Sequence, residues 1–209
     1  MSRTGRAASG DASARFGRDY YERYYFDPRT AVASRHESRA RARLIAAYAD
    51  YLGLPVRRIL DAGCGVGRLR APLRRHFGEI AYVGLEASEF LCRRYGWERA
   101  RIEEYRPLEP FDVVICYDVL QYLDDRAAAR ALVNLARLSR ALLYFSALTR
   151  ADSRANCDRS RTDLDVEARP GLWYRARLRR SFLEIGAGFW VRRGAPFTFW
   201  ELERAAPCT

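Results

Sequence analysis

The chain contains no lysine; all 37 of its Lys-plus-Arg residues, in a length of 209, are arginine. That excludes a phosphate loop of the ATPase kind, which requires Gly-Lys-Ser or Gly-Lys-Thr. Histidine is almost as scarce, with only His36 and His76, and the five cysteines (Cys64, Cys92, Cys116, Cys157 and Cys208) form no Cys-x-x-Cys pair. No metal site assembles at conventional spacing from such a set. An odd number of scattered cysteines reads as reduced thiols rather than a disulfide framework. No apolar run approaches the roughly 18 residues of a membrane-spanning helix, and the N-terminus lacks the apolar centre of a signal peptide. These absences predict a cytoplasmic protein that does not enter a membrane.

What is present is nearly half apolar, at 49%, with a formal net charge of +11. A length near 200 residues and that apolar share suit one α/β domain with a substantial core. Counterion release would reward the positive charge on nucleic acid. The arginines are nevertheless spread along the chain rather than gathered, and arginine and alanine without lysine read as the codon bias of a GC-rich genome. Nucleic acid is therefore not the expected partner.

The most informative stretch is Ile59-Leu60-Asp61-Ala62-Gly63-Cys64-Gly65-Val66-Gly67-Arg68-Leu69. It reads as a short apolar strand entering an acidic, glycine-rich turn, with an amphipathic helix to follow over 69–77. Glycine at 63, 65 and 67 lets the backbone turn sharply and approach a ligand that a Cβ would obstruct. The dinucleotide fingerprint needs a third glycine where Arg68 stands, and it has no Asp two residues before the first glycine. Asp-x-Gly-x-Gly-x-Gly closing a first strand resembles motif I of the class I S-adenosylmethionine (SAM) methyltransferases. The resemblance implies that Asp61 helps hold the SAM ammonium group, and that Gly63, Cys64, Gly65 and Gly67 line the amino acid part of the cofactor.

Downstream spacing extends the likeness. Ile80 to Glu86 reads as a second strand ending in a carboxylate, about 20 residues past the glycines, where such folds set an acid on a ribose. Glu86 is the expected ribose ligand, since a carboxylate can accept from both hydroxyls, with Ala87 beside it. A short third strand is expected within 99–104, flanking the adenine with Ile102 packed on the ring and Glu103 toward the amino group, as the family suggests. The continuous apolar run from Phe111 suits a fourth strand buried on both faces. Its end, Tyr117 and Asp118, would form the floor beneath the sulfonium. The family's Val-Leu-x-His-Leu pattern follows with Tyr122 in the histidine position.

The remaining organisation is read around these anchors. Residues 1–15 are expected to be a disordered tail, and 16–203 a single SAM-dependent methyltransferase domain. Within it, 16–55 would form N-terminal lid helices, including a long helix over 34–52, with Tyr20 or Tyr24 donating to the SAM carboxylate. The stretch 125–139 reads as a surface helix and 141–148 as a fifth strand. The polar stretch 149–171 would be a substrate-covering loop, since loops this long in a compact domain are usually functional or disordered. A helix over 172–185 and two strands, 189–193 and 197–202, would complete a doubly wound, seven-stranded, Rossmann-like sheet, mostly parallel with an antiparallel last strand.

The resemblance therefore implies a SAM-dependent methyltransferase that passes a methyl group to an oxygen or nitrogen of a small-molecule substrate by in-line displacement. Asp118, Tyr117 and Tyr122 are the candidate catalytic residues, with Asp152, Asp158 or Asp163 reaching down from the loop as further bases. Two other readings are methylation of protein or RNA, and a noncatalytic SAM-binding protein. An aminopropyltransferase would need further acids for a polyamine, which the sequence does not place. The acceptor, the pathway and the oligomeric state are not legible.

Overall fold

A computed structural model describes residues 15–205; the expected tail at 1–15 lies outside them except for Arg15. Among the described residues a short helix α1 (Arg18–Tyr21) leads into a single π-helical turn (Glu22–Phe26) and the long helix α2 (Arg35–Tyr51). Alternation then sets in: β1 (Arg58–Ala62), α3 (Arg70–Phe77), β2 (Ala81–Glu86), α4 (Glu89–Tyr95), β3 (Glu98–Arg99) and β4 (Phe111–Tyr117). A 3-10 turn (Leu120–Tyr122), α5 (Asp125–Leu138), β5 (Ser139–Ser146), α6 (Arg150–Ala155), α7 (Gly171–Leu178), β6 (Phe182–Gly186) and β7 (Phe189–Arg192) follow.

The seven strands form one sheet in the order β3-β2-β1-β4-β5-β7-β6. All pairs from β3 to β5 are parallel, and β7 runs antiparallel to both neighbours. The order reverses between β1 and β4, so ligands are expected at the carboxyl ends of those strands. Period-two alternation explains the two-sided core. Val114 and Cys116 of β4 face α5 and α7 with Leu135 and Leu178, whereas Val113 and Ile115 face α2 and α3 with Ile45 and Leu73.

Local chemistry sets the boundaries. Ser34 and Glu37 exchange bonds in a capping box that starts α2. Asp124 caps α5 by accepting from Ala127 N (2.7 Å), and Ser88 caps α4 through Leu91 N (3.3 Å).

The C-terminal part departs from expectation. The helix expected over 172–185 ends at Leu178, and Phe182–Gly186 is a strand instead. Gly186, Ala187 and Gly188 all have positive φ (93°, 49° and 85°), which makes the supposed helix break a tight hairpin. The segment 197–202 joins no sheet; Glu201–Glu203 is a 3-10 turn. The seventh strand therefore comes from inside the predicted helix. The third strand, expected within 99–104, is only Glu98–Arg99. The expected loop 149–171 contains α6, capped by Thr149 through Asp152 N. No helix of the described residues is long and apolar enough to cross a membrane.

The turn between β3 and β4 is held by a buried amide. Asn134 on α5 donates to Ile102 O (2.6 Å) and Tyr105 O (3.0 Å) and accepts from Arg106 Nη1 (2.8 Å). Asn134→Ala strands the Ile102 carbonyl, while Tyr105 O keeps the Arg106 Nη1 donor (2.8 Å), and should lower unfolding free energy by about 1 to 3 kcal/mol, measured by urea denaturation.

Candidate active site

The glycine turn leaves β1 with three left-handed residues, Gly63, Gly65 and Gly67 (φ 78°, 54° and 70°), a conformation that glycine adopts at little cost. The sequence reading reserved the missing Cβ space for a ligand at all three positions. The packing divides them. A Cβ on Gly63 would lie 2.4 Å from the Val119 side chain, and one on Gly67 would lie 2.3 Å from the Trp97 indole. Gly65 alone is open, with the Tyr25 ring 3.9 Å away. Trp97 also donates from Nε1 to Gly65 O (2.9 Å), so the indole props the turn from behind.

Glu86, at the end of β2, fastens the turn from the other side. Its Oε2 accepts from Gly65 N (2.9 Å), and its Oε1 accepts from Ala87 N (2.9 Å) and Ser88 N (3.0 Å). Burial raises its pKa, partly offset by those three N–H groups. Asp61 is buried beneath the turn and accepts from the Tyr82 hydroxyl. Burial pushes its carboxyl up to about 6.

Two cavities open over the carboxyl ends of β1, β2 and β4. One, of about 590 Å³, is lined by Glu86, Ala87, Ile102, Glu103 and Tyr20. The second, of about 480 Å³, is lined by Asp61, Cys64, Tyr117 and Arg41. They meet at Gly63, Gly65, Tyr25, Asp118, Gln121 and Tyr122, which line both. In the first, Glu103 is buried; its Oε1 pairs with Arg101 Nη2 (2.7 Å) and its Oε2 has no partner.

Asp118 is a non-glycine residue with φ 57°, its amide held by Ser146 O (3.0 Å). Protein surrounds it, yet its side chain is open to the cavities. Burial raises its carboxyl to about 6, opposed by the Arg41 guanidinium and the Tyr117 hydroxyl. Burial likewise pushes the hydroxyls of Tyr117 and Tyr122 up to about 12.

The N-terminal segment and the long connection after β5 interlock above the cavities. Arg161 Nε donates to Ala31 O (2.9 Å), Arg15 pairs with Asp163 (2.9 Å), and Arg68, leaving the glycine turn, donates to Tyr25 O (2.6 Å) and Ala33 O. Buried Arg169 anchors the end of the connection, donating to Leu120 O (2.9 Å) and Leu123 O around the 3-10 turn that carries Tyr122.

This geometry has counterparts. A family model described as a methyltransferase domain matches residues 60–141, the stretch from β1 into β5. Over that stretch the chain is similar to the class I SAM-dependent methyltransferases. That family uses S-adenosylmethionine as its cofactor. A ubiquinone biosynthesis O-methyltransferase of Hahella chejuensis is 31% identical over 108 residues, covering 46% of this chain and 45% of that protein. The chain thus spans under half the length of that relative. Among solved structures, magnesium protoporphyrin IX methyltransferase from Synechocystis, with SAM bound, superposes with a TM-score of 0.58 at 20% identity, covering 90% of this chain and all of that one. DesVI of Streptomyces venezuelae gives 0.58 at 15% over 83% of this chain and 96% of that one. The N-methyltransferase NodS of Bradyrhizobium japonicum, with S-adenosylhomocysteine (SAH), gives 0.54 at 17% over 72% and 87%. These structures share the fold of this chain.

Most sequence-predicted residues converge on the two cavities. Gly67 lines neither, because its α-carbon faces Trp97. Tyr24 also lines neither, and Tyr20 hydrogen-bonds the Tyr122 hydroxyl (3.0 Å). Asp152 is spent on Thr149 and Asn156 outside the cavities, Asp158 on Ser160 and Asp163 on Arg15. Sequence reasoning missed Tyr25, whose phase in the aromatic run is set by the π-turn, and Arg41, one arginine among several on α2. Trp97, distant from the motif, carried no signal.

The raised carboxyl of Asp61 has a stability consequence. A carboxyl with a higher pKa folded than unfolded favours folding when protonated, and that contribution is lost as pH rises through about 6. Asp61→Asn, which still accepts from Tyr82, should therefore be more stable than the parent by about 3 kcal/mol at pH 7.5, and the difference should vanish near pH 4. Urea titrations at both pH values check this.

Proposed function

We propose that this methyltransferase carries a methyl group from SAM to an oxygen or nitrogen of a small-molecule acceptor, with the cofactor in the larger cavity and the acceptor in the smaller. The observation that carries this reading is the junction of the two cavities over Gly65, Asp118 and Tyr122. The donors and acceptors around the larger cavity suit the cofactor. Glu103 Oε2, buried without a partner, matches the amino group of adenine, and Ile102 offers an apolar face to the ring. Three of the roughly four lone-pair sites of the Glu86 carboxylate are taken by backbone N–H groups, which leaves Oε2 able to accept from a ribose hydroxyl. Asp61 and Cys64 line the smaller cavity, so Asp61 answers the ammonium group of a cofactor whose amino acid end crosses the junction at Gly63 and Gly65, and Ala87 borders the sugar. Gly67 serves by letting Trp97 support the turn.

SAM supplies a methyl group already activated on a sulfonium, so transfer depends chiefly on holding the acceptor near and in line. Asp118 is the proton acceptor we assign, because it opens into both cavities and a carboxyl near 6 is ionised at neutral pH. Tyr117 and Tyr122 orient the acceptor. The segments 16–55 and 149–171 act as a two-part cover, and the Arg161 and Arg15 contacts that join them support an enclosed, small acceptor. Free Cys64, Cys92, Cys116 and Cys157 support a reducing, cytoplasmic setting.

Calorimetric titration with SAM and SAH, with NAD as control, tests the reading; micromolar binding of both without NAD is expected, and no binding of either would remove it. Glu86→Ala should weaken SAH binding by about 1 to 3 kcal/mol through lost charged hydrogen bonds, whereas Asp118→Ala should leave it nearly intact. Equal loss in both would remove the site assignment.

A further inference from the structure

The smaller cavity contains both signs of charge, and almost all of it is already engaged. Of its arginines, Arg68 and Arg161 spend their donors on the main-chain carbonyls of Tyr25, Ala33 and Ala31. Of its acids, Asp61 is held by Tyr82, Asp163 by Arg15, Asp158 by Ser160, and Glu37 by Ser34 N. Two charges remain. Among the described residues Arg41 makes no hydrogen bond or ion pair; its guanidinium lies over the Tyr117 ring, with the central carbon 3.5 Å from the centroid. Asp118 has only the Tyr117 hydroxyl as a side-chain partner. Arg41 and Asp118 flank the same tyrosine and form no ion pair, although each is close enough to feel the other's field.

A guanidinium seated over a ring with its N–H donors unused is available to a planar carboxylate. A dianion would be repelled by Glu37 and Asp61, which lie within the field of Arg41. A purely cationic ligand would satisfy Asp118 and be repelled by Arg41. A zwitterion satisfies both. We infer that the acceptor is a small amino acid, with its carboxylate on Arg41 and its amino group at Asp118; this rests on the cofactor reading above. In the reaction the ammonium proton passes to Asp118, and the freed nitrogen lone pair forms the new bond to the methyl carbon. The bond from that carbon to sulfur breaks with its electrons returning to sulfur.

Three matched probes test this on the SAH-saturated protein by calorimetry: L-phenylalanine, phenethylamine, which lacks the carboxylate, and 3-phenylpropanoate, which lacks the amine. The aromatic ring suits a cavity bordered by Tyr25, Tyr117 and Tyr122. Phenylalanine should bind at least about tenfold more tightly than either analogue. Arg41→Met should erase its advantage over phenethylamine, and Asp118→Asn its advantage over 3-phenylpropanoate, with SAH affinity retained in both. Arg41→Lys, which keeps the charge and loses the fork, should recover part of the difference. An analogue that binds the parent protein as tightly as phenylalanine, or failure of all three probes while SAH binds, overturns the inference and leaves the cofactor reading intact. Failure of SAH itself removes both. If a variant does not fold, the comparison of probes on the parent protein still decides.

Discussion

The ligand-facing side of this molecule depends on one buried carboxylate. Glu86 joins three separate pieces of backbone: the glycine turn through Gly65, its own strand end through Ala87, and the start of α4 through Ser88. A group this buried is costly to ionise unless N–H donors surround it, and here two of the three donors, Gly65 and Ala87, border the larger cavity. The same bonds that make the charge tolerable therefore set the distance between the glycine turn and β2. Trp97 completes the arrangement from the opposite side, filling the space that glycine leaves at 67.

The sheet supplies the platform for this. Because β1 and β4 are neighbours while their crossovers run to opposite faces, their carboxyl ends diverge and leave the crevice in which both cavities lie. Asp118 sits where β4 stops, in a left-handed conformation that asparagine, aspartate and glycine tolerate best, and its amide is tied to β5. The catalytic candidates are thus placed by strand ends, whereas the cover is made of helices and loops joined through arginine side chains.

The central motif was legible because it is local. Asp61, the three glycines and Glu86 lie in or directly after two strands whose apolar periodicity is unambiguous, and the structure gathers them around one turn, with Val119 and Trp97 filling the space that glycine leaves at 63 and 67. Legibility failed where backbone geometry, not periodicity, decided. Phe182 continues the apolar spacing of Trp173 and Leu178, so a helix is the natural reading, but the left-handed residues at 186–188 turn the chain back as a hairpin. Tyr20, Tyr24 and Tyr25 are chemically equal in the sequence, and only the π-turn selects which rings face the cavities. The partners of Gly63 and Gly67 are Val119 and Trp97, distant in sequence, so the reason for those glycines was readable in kind and not in detail. Arg41 became visible only when the partners of the neighbouring charges could be counted.

The arginine clamp on the N-terminal segment has an evolutionary corollary. Arg68 and Arg161 grip carbonyl oxygens of the strip around Tyr25, Ala31 and Ala33, and a carbonyl is present whatever side chain the residue carries. Drift in that strip can alter its side chains freely without releasing either arginine's grip, so the surface it turns toward the cavities can be rewritten while its attachment is inherited unchanged.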